Sequence, residues 1–473
     1  MHDKKGVSMR QFHSTMSRRD FMKNLGLAGA GIGAAASFPA FHDIDELTVL
    51  SANNPKRPWW IRERDQDNPT TEVDWNIYKP YDQRNFRTGE YTSTWNGTLE
   101  KIGEIYGTTD KNELNARWIN DNVPGSTLKD LALSNAVAAA PRASNTFLGP
   151  SVSTPTQIGV VNWAGSPEEN FKMIQVASRY LGAWKVSALE ITDKSRRMFY
   201  ANDGDRDLVF DDVDTPSQTN TSYIIPNKFR WALNIMHRQP ESSARTAPGH
   251  LMGSSLIYHN YTSANVSHRI QAFIKGLGYS ALDVPSASCG LSIMSGLGEN
   301  GRAGFAITPE NGPMMRISST FITDLPLSPT FPIDAGLNRF CYDCRKCADH
   351  CPTQSIMSQR EPGWDITGPW NSEGIRTWAF NNPKCDPIRK AYAPGYCSIC
   401  QSVCVFTKFD EAIIHDVVKF TASTTGIFNG FFRNMDDMFG YAKNSGYLQA
   451  HTEDDYPQQW WDTIGPEYGL HQY

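Results

Sequence analysis

The chain has 473 residues, nine cysteines and a formal net charge of −5. At about 150 residues per domain, that length implies two or three domains and ample core. The mildly acidic balance disfavours a nucleic-acid partner, and past residue 41 no apolar run reaches the roughly 18 residues of a membrane span.

Residues 1–23 carry Lys4, Lys5, Arg10, Arg18, Arg19 and Lys23 against Asp3 and Asp20, and Leu25–Phe41 follows as glycine and alanine with a few larger apolar residues. This is the layout of a signal peptide, and Ser17-Arg18-Arg19-Asp20-Phe21-Met22-Lys23 carries a twin-arginine (Tat) signature. The apolar part is too short and too weakly hydrophobic for a membrane anchor. Ala34-Ala35-Ala36 offers a cleavage site, so 1–36 is read as the signal. Its six basic and two acidic residues leave with it, and the mature chain carries about −9.

An N-terminal unit over 37–150 follows, polar and aromatic-studded, with Arg57-Pro58-Trp59-Trp60-Ile61-Arg62 as its densest stretch. Trp59 and Trp60 are expected to pack on the main domain. Leu131–Ala140 reads as a helix ended by Pro141. The main domain spans 151–330. Ser166-Pro167-Glu168-Glu169 is a helix start with Ser at the N-cap, Pro in the first turn and Glu three residues on. Phe171, Ile174, Ser178 and Leu181 continue it at helical spacing to Gly182.

Trp184–Ile191, Phe229–Met236 and Ala303–Thr308 read as strands. Val266, Ile270, Phe273, Ile274 and Leu277 form the apolar face of a helix closed by Gly276 and Gly278. Tyr258 and Tyr261 stand just before that helix. Gly296-Leu-Gly298-Glu-Asn-Gly301 has the letters of a dinucleotide fingerprint, but a strand is expected after it where the fingerprint needs a helix. The alternation of helices and strands makes the domain α/β or α+β.

Eight of the nine cysteines fall between 341 and 404. Cys341, Cys344, Cys347 and Cys351-Pro352 form C-x2-C-x2-C-x3-C-P, the run that wraps a [4Fe–4S] cubane. Cys397, Cys400 and Cys404 repeat its closing part, with Cys385 set back by an eleven-residue insertion. In two-cluster ferredoxins the fourth cysteine of each run serves the other cluster. Cys341, Cys344, Cys347 and Cys404 would then hold one cluster, and Cys351, Cys385, Cys397 and Cys400 the other. Zinc is the competing ligand for such knuckles, but the first run is awkward for a tetrahedral site. Disulfides, the other competitor in an exported chain, are set aside on the same motif. Residues 331–425 are read as a two-cluster ferredoxin-like domain and 426–473 as a tail that returns to the core.

The Tat signal, a domain of roughly 300 residues, Thr323-Asp-Leu-Pro-Leu327 and the cysteine module together resemble the respiratory reductive dehalogenases. So do Phe273-Ile-Lys-Gly-Leu-Gly-Tyr279, Gly296-Leu-Gly-Glu-Asn-Gly-Arg302 and Ile307-Thr-Pro-Glu-Asn-Gly-Pro313. The resemblance implies an α+β fold: a nitroreductase-like corrinoid-binding core with an inserted or appended two-[4Fe–4S] domain. It implies a base-off corrinoid (cobamide) beside one cluster, and removal of halide from an organohalide as the last step of anaerobic respiration. No Asp-x-His-x-x-Gly, the motif by which other corrinoid proteins supply a lower ligand, occurs in the chain.

The resemblance further points to a tyrosine as proton donor assisted by a cation. Tyr261 is the first candidate and Tyr258 the second, with Arg316 as the cation and Arg302 or Lys275 as substitutes. Gly296, Gly298 and Gly301 are the candidate corrinoid contacts. The implied partners are the Tat translocase, a small integral-membrane anchor protein and a quinone-linked donor chain, with the enzyme on the outer face of the cytoplasmic membrane. Two other readings share parts of this pattern. An exported two-cluster electron-transfer subunit does not need so large a domain ahead of its clusters. An epoxyqueuosine-reductase-like corrinoid enzyme has no use for an export signal.

Overall fold

The computed structural model describes residues 58, 60–85, 103, 107–139, 141–239, 241–244, 246–391, 397–407, 413–438 and 460–462. The signal read over 1–36 lies outside them, as do Trp59 and most of the tail after Met438. Arg62–Tyr473 forms one compact unit.

Twelve elements position the site. Helix α1 spans Leu128–Ala138, α2 Pro167–Tyr180, strand β1 Lys185–Glu190, β2 Trp231–Arg238, helix α3 His250–Gly276, β3 Ala281–Asp283 and α4 Ser288–Met294. Strand β4 spans Met315–Thr323, helix α5 Leu337–Cys344, α6 Lys346–Asp349, α7 Ile399–Ser402 and α8 Asn429–Met438. The sheet runs β1-β2-β4-β3, antiparallel throughout, with a bulge in β4 between Ile317 and Ser319. This mixed architecture agrees with the α+β expectation.

Both faces of the sheet are buried. Val186, Ala188, Leu233, Ile235 and Phe321 pack on one side with Ile174 of α2 and Val266, Ile270 and Ile274 of α3. Leu189, Ala232 and Ile322 point the other way, onto Leu291 and Met294 of α4. The side chains alternate as a pleated strand requires. With cover on both sides, β4 reads as one arginine among apolar and hydroxyl residues without regular polar alternation, and sequence pattern does not reveal it.

Helix α2 begins as expected: Ser166 accepts from Glu169 N at 3.2 Å, Ser166 N donates to Glu169 Oε2 at 2.9 Å, and Pro167 occupies the first turn. Helix α3 departs from expectation. It starts at His250, so Tyr258 and Tyr261 lie within it and not ahead of it. The buried residues of its first half include His250, Ser254, Ser255, His259 and Ser263, and a polar buried face is silent to hydrophobic periodicity. The strand expected over Ala303–Thr308 shrinks to Ala306–Ile307, paired with Glu299–Asn300. Helix, hairpin and strand therefore surround the Gly296–Gly301 run, and the rejection of a dinucleotide site stands.

Ser166→Ala removes one arm of the capping box at the start of α2. It should cost about 1 kcal/mol in chemical denaturation without changing the fold; an unchanged midpoint would show that the cap contributes nothing.

Candidate functional site

The thiol module is built from two copies of one local device. Between Cys344 and Cys347, Arg345 adopts a left-handed conformation (φ 52°); between Cys397 and Cys400, Ser398 does the same (φ 56°). Each begins a one-turn helix, α6 and α7. The turn directs the Lys346 N–H at the Cys344 sulfur and the Ile399 N–H at that of Cys397. Cys351 accepts from Ser355 N at 3.3 Å, and Cys400 from the backbone of Gln401.

Charge on Cys347 couples, largest first, to Cys341, Cys344, Cys400 and Cys404, and charge on Cys400 to Cys397, Cys385 and Cys351. Cys400 thus stands beside both sets of thiols. Burial pushes Cys341, Cys344, Cys347, Cys397 and Cys400 up from the ordinary thiol range. Cys341, Cys344, Cys347, Cys400 and Cys404 line one small cavity with Gly301, Arg302 and Phe305 on its wall. Cysteines gathered around one space, with backbone N–H groups aimed at their sulfurs, suit a cubane.

The Gly296–Arg302 loop holds this module. Glu299 Oε2 accepts from Ala335 N and Leu337 N at 2.9 Å each, at the start of α5. Three residues on, Arg302 meets the end of the same helix: Nη2 donates to Cys341 O at 2.6 Å and Nε to the same oxygen at 3.2 Å. Its Nη1 donates to Met357 O at 2.8 Å and Gln359 O at 2.6 Å. A carboxylate at the N-terminus and a guanidinium at the C-terminus both oppose the helix dipole. The glycines let the loop close on its own return strand. A Cβ on Gly298 would stand 2.5 Å from Ile307 O, and one on Gly301 2.4 Å from Ile307 Cδ1. Gly296 has φ 76°. Backbone geometry thus accounts for all three glycines named as corrinoid contacts, and Gly301 lines the thiol cavity.

A second polar cluster lies between α3 and the sheet. Arg316 of β4 stands opposite His237 of β2, and the His237 ring meets that of His259 edge-on at 5.5 Å. Burial lowers His237 to about 4, and burial, His237 and Arg316 together lower His259 well below the usual range, so both rings are neutral at pH 7. Among the described residues, no hydrogen-bond partner meets His259 Nε2, Ser255 Oγ or either amide atom of the fully buried Gln239. Buried polar atoms of that kind suit a polar ligand.

Asp283 of β3 lies near the same face beside Asn145 and Ser319, and burial raises it to about 6. Neither Asp283 nor His237 is legible as a site residue in the sequence, because the sheet pairing that places them is long-range.

Tyr258 and Tyr261 are both half-buried. A helix turns about 100° per residue, which puts Tyr258 about 100° from the His259 direction and Tyr261 about 200° from it, on the reverse face of α3. Lys275 and Arg302, the substitute cations, are engaged elsewhere. Lys275 Nζ donates to Leu148 O at 3.2 Å and Pro150 O at 3.0 Å, and Arg302 serves the thiol module.

A family model described as the reductive dehalogenase subunit matches residues 56–217. The chloroethene reductive dehalogenase of Dehalococcoides mccartyi strain VS is 32% identical over 98% of this chain and 99% of that protein. The chain belongs to the reductive dehalogenases. Membership makes this dehalogenase an oxidoreductase acting on carbon–halogen bonds. The trichloroethene reductive dehalogenase of Dehalococcoides mccartyi strain 195 is 30% identical over 96% of the chain and 98% of that protein. Among solved structures, the catabolic reductive dehalogenase NpRdhA with 3-bromo-4-hydroxybenzoic acid superposes with a TM-score of 0.56 at 20% identity. The match covers 84% of this chain and 52% of that one, so the chain spans about half the length of that structure.

Glu299 gives this arrangement a pH signature. Burial raises its carboxyl to about 7, against about 4.3 in an unfolded chain. The folded state therefore holds a proton that the unfolded state has lost, and this contribution to stability declines as pH rises between those values and through about 7. Glu299→Gln should retain more of its melting temperature than the parent chain between about pH 5 and pH 8. Parallel pH profiles would show that Glu299 does not titrate in this window.

Proposed function

We propose that the chain is the catalytic subunit of an organohalide-respiring system, removing halide from a small organohalide. In this reading the cysteine module would hold two [4Fe–4S] clusters, which would supply electrons one at a time, and the polar cluster between α3 and the sheet would hold a corrinoid. The observation that carries it is the clustering of eight cysteines in a chain aligned with dehalogenases over nearly its whole length.

Cys341, Cys344, Cys347 and Cys404 hold the first cluster, and Cys351, Cys385, Cys397 and Cys400 the second. Gln239, Ser255 and His259 are the polar contacts proposed for the corrinoid, their buried atoms having no protein partner among the described residues. A bound corrinoid supplies the strongly reducing cobalt that carbon–halogen cleavage requires. Chlorinated ethenes are the first substrates to test, because the two near-full-length relatives are named for them.

The protein's own part is to deliver a proton to the carbon that loses halide. A phenol near pKa 10 is a weak acid at neutral pH, and a neighbouring guanidinium stabilises the phenolate left behind. Tyr258 is the proposed donor, because its position on α3 lies nearer the His259 and Arg316 side than that of Tyr261. Arg316 is the cation, with electrostatic reach to His259 from β4. The two neutral histidines add no competing positive charge.

Among the described residues no helix is long and apolar enough to cross a membrane. A small membrane anchor protein, Tat export and a quinone-linked donor chain complete the proposal, with the enzyme on the outer face of the cytoplasmic membrane.

Anaerobically purified protein should contain about eight irons and one cobalt per chain and release chloride from chlorinated ethenes with a low-potential donor. Iron without cobalt, even after reconstitution with corrinoid, would leave an electron-transfer subunit instead. Cys347→Ala should lose one cluster and activity while retaining corrinoid; two intact clusters would overturn the ligand assignment. Tyr258→Phe should lower turnover at least about 100-fold with cofactors intact, and Tyr261→Phe much less. The reverse order would return the donor role to Tyr261.

A further inference from the structure

Three cations line the cavity of the first cysteine group: Arg302, Arg345 and Lys346. Their surroundings differ in a way that decides which of them acts on charge inside it. Arg345 is exposed, so water screens it. Lys346 is fully buried, but Asp436 pairs with it and Asp437 lies 3.0 Å away, so its charge is neutralised locally. Arg302 is 1% exposed and no carboxylate pairs with it among the described residues.

Its hydrogen bonds go to carbonyl oxygens of Cys341, Tyr342, Met357, Gln359 and Arg360. The guanidinium also stacks on the ring of Trp378, 4.4 Å from its centroid, and Trp378 is itself buried. Carbonyl dipoles and an aromatic face hold a cation in place without cancelling its unit charge. Arg302 therefore keeps a full positive charge in a weakly screening interior, against the backbone of a cysteine proposed to bind the cluster.

We propose that Arg302 is an electrostatic positioning residue that raises the reduction potential of the cluster held by Cys341, Cys344, Cys347 and Cys404. Reduction adds one negative charge to the cluster, and a fixed nearby cation stabilises that added charge; hydrogen bonding and local charge are recognised determinants of such potentials. Delocalised charge and a planar fork of donors suit arginine to this position among several carbonyl oxygens. The function is distinct from the cation role beside the tyrosine, which belongs to Arg316.

The proposal rests on the iron–sulfur reading above, and the test separates the two. The experiment is an anaerobic redox titration of the holoenzyme followed by electron paramagnetic resonance, with iron content measured first. The Cys347→Ala spectrum identifies the first cluster. Arg302→Gln keeps hydrogen-bonding capacity without charge and should lower the potential of the first cluster while leaving the second in place. Arg302→Lys keeps the charge with fewer hydrogen bonds and should stay near the parent value.

Equal potentials in all three proteins, or equal shifts in Gln and Lys variants, would overturn the proposal. Loss of the first cluster from both variants would make Arg302 a scaffold and also overturn it. Loss from the Gln variant alone, with the Lys variant at the parent potential, would support the requirement for charge. Absence of iron from the parent protein would defeat the cluster reading itself.

Discussion

The two ends of helix α5 are held by one short loop, and the relation between core and thiol module depends on that grip. Glu299 closes the amide end and Arg302 the carbonyl end of the helix that carries Cys341 and Cys344. Arg302 complements the helix dipole by its charge and Glu299 by accepting two of the first amides, and both side chains are buried. The loop itself closes tightly on Ile307, which Gly298 and Gly301 allow. A glycine run that resembles a cofactor loop in the one-letter sequence is, in the folded chain, the seam between two parts of the molecule.

The module on the other side of that seam is tied in twice more. Lys346, inside the first cysteine run, is buried against Asp436 of α8, so a helix beyond the last cysteine closes over the first turn of the module. The segment between the two runs returns to the N-terminal part of the chain: Val73 pairs with Ile375, and Asp74 N donates to Gly374 O at 2.8 Å. It also supplies Trp378, the ring beneath Arg302. A buried ion pair is costly to desolvate and more costly to break, which suits a contact whose purpose is to fix one arrangement of loops.

A different polar cluster lies between α3 and the sheet. There His259, Ser255 and Gln239 keep buried atoms that no described protein group meets. Arg316 and the two neutral histidines meet there because β2 and β4 are hydrogen-bonded neighbours and the first half of α3 crosses them. That half buries His250, Ser254, Ser255, His259 and Ser263, a polar stripe that a helix keeps inside only where it has something other than hydrocarbon to face.

The sequence by itself determined what is local. The eight cysteines and their spacing carry the proposed donor set, because cubane ligation depends on short spacers. The start of α2 is legible because a capping box closes within four residues, and β1 and β2 because β-rich stretches stop at turn residues. The folded chain alone decided what depends on distant partners. Strand β4 is central and covered on both faces, which removes the polar alternation that would mark it. Helix α3 extends back to His250 because its buried face is polar, and this brings the two tyrosines into the helix, where its turn, invisible to spacing from a presumed start, separates them. Arg302 and Glu299 look alike in the sequence, two charges in a glycine-rich loop. Only tertiary packing puts one at each end of α5, since a charge acquires its role from the dielectric and partners around it.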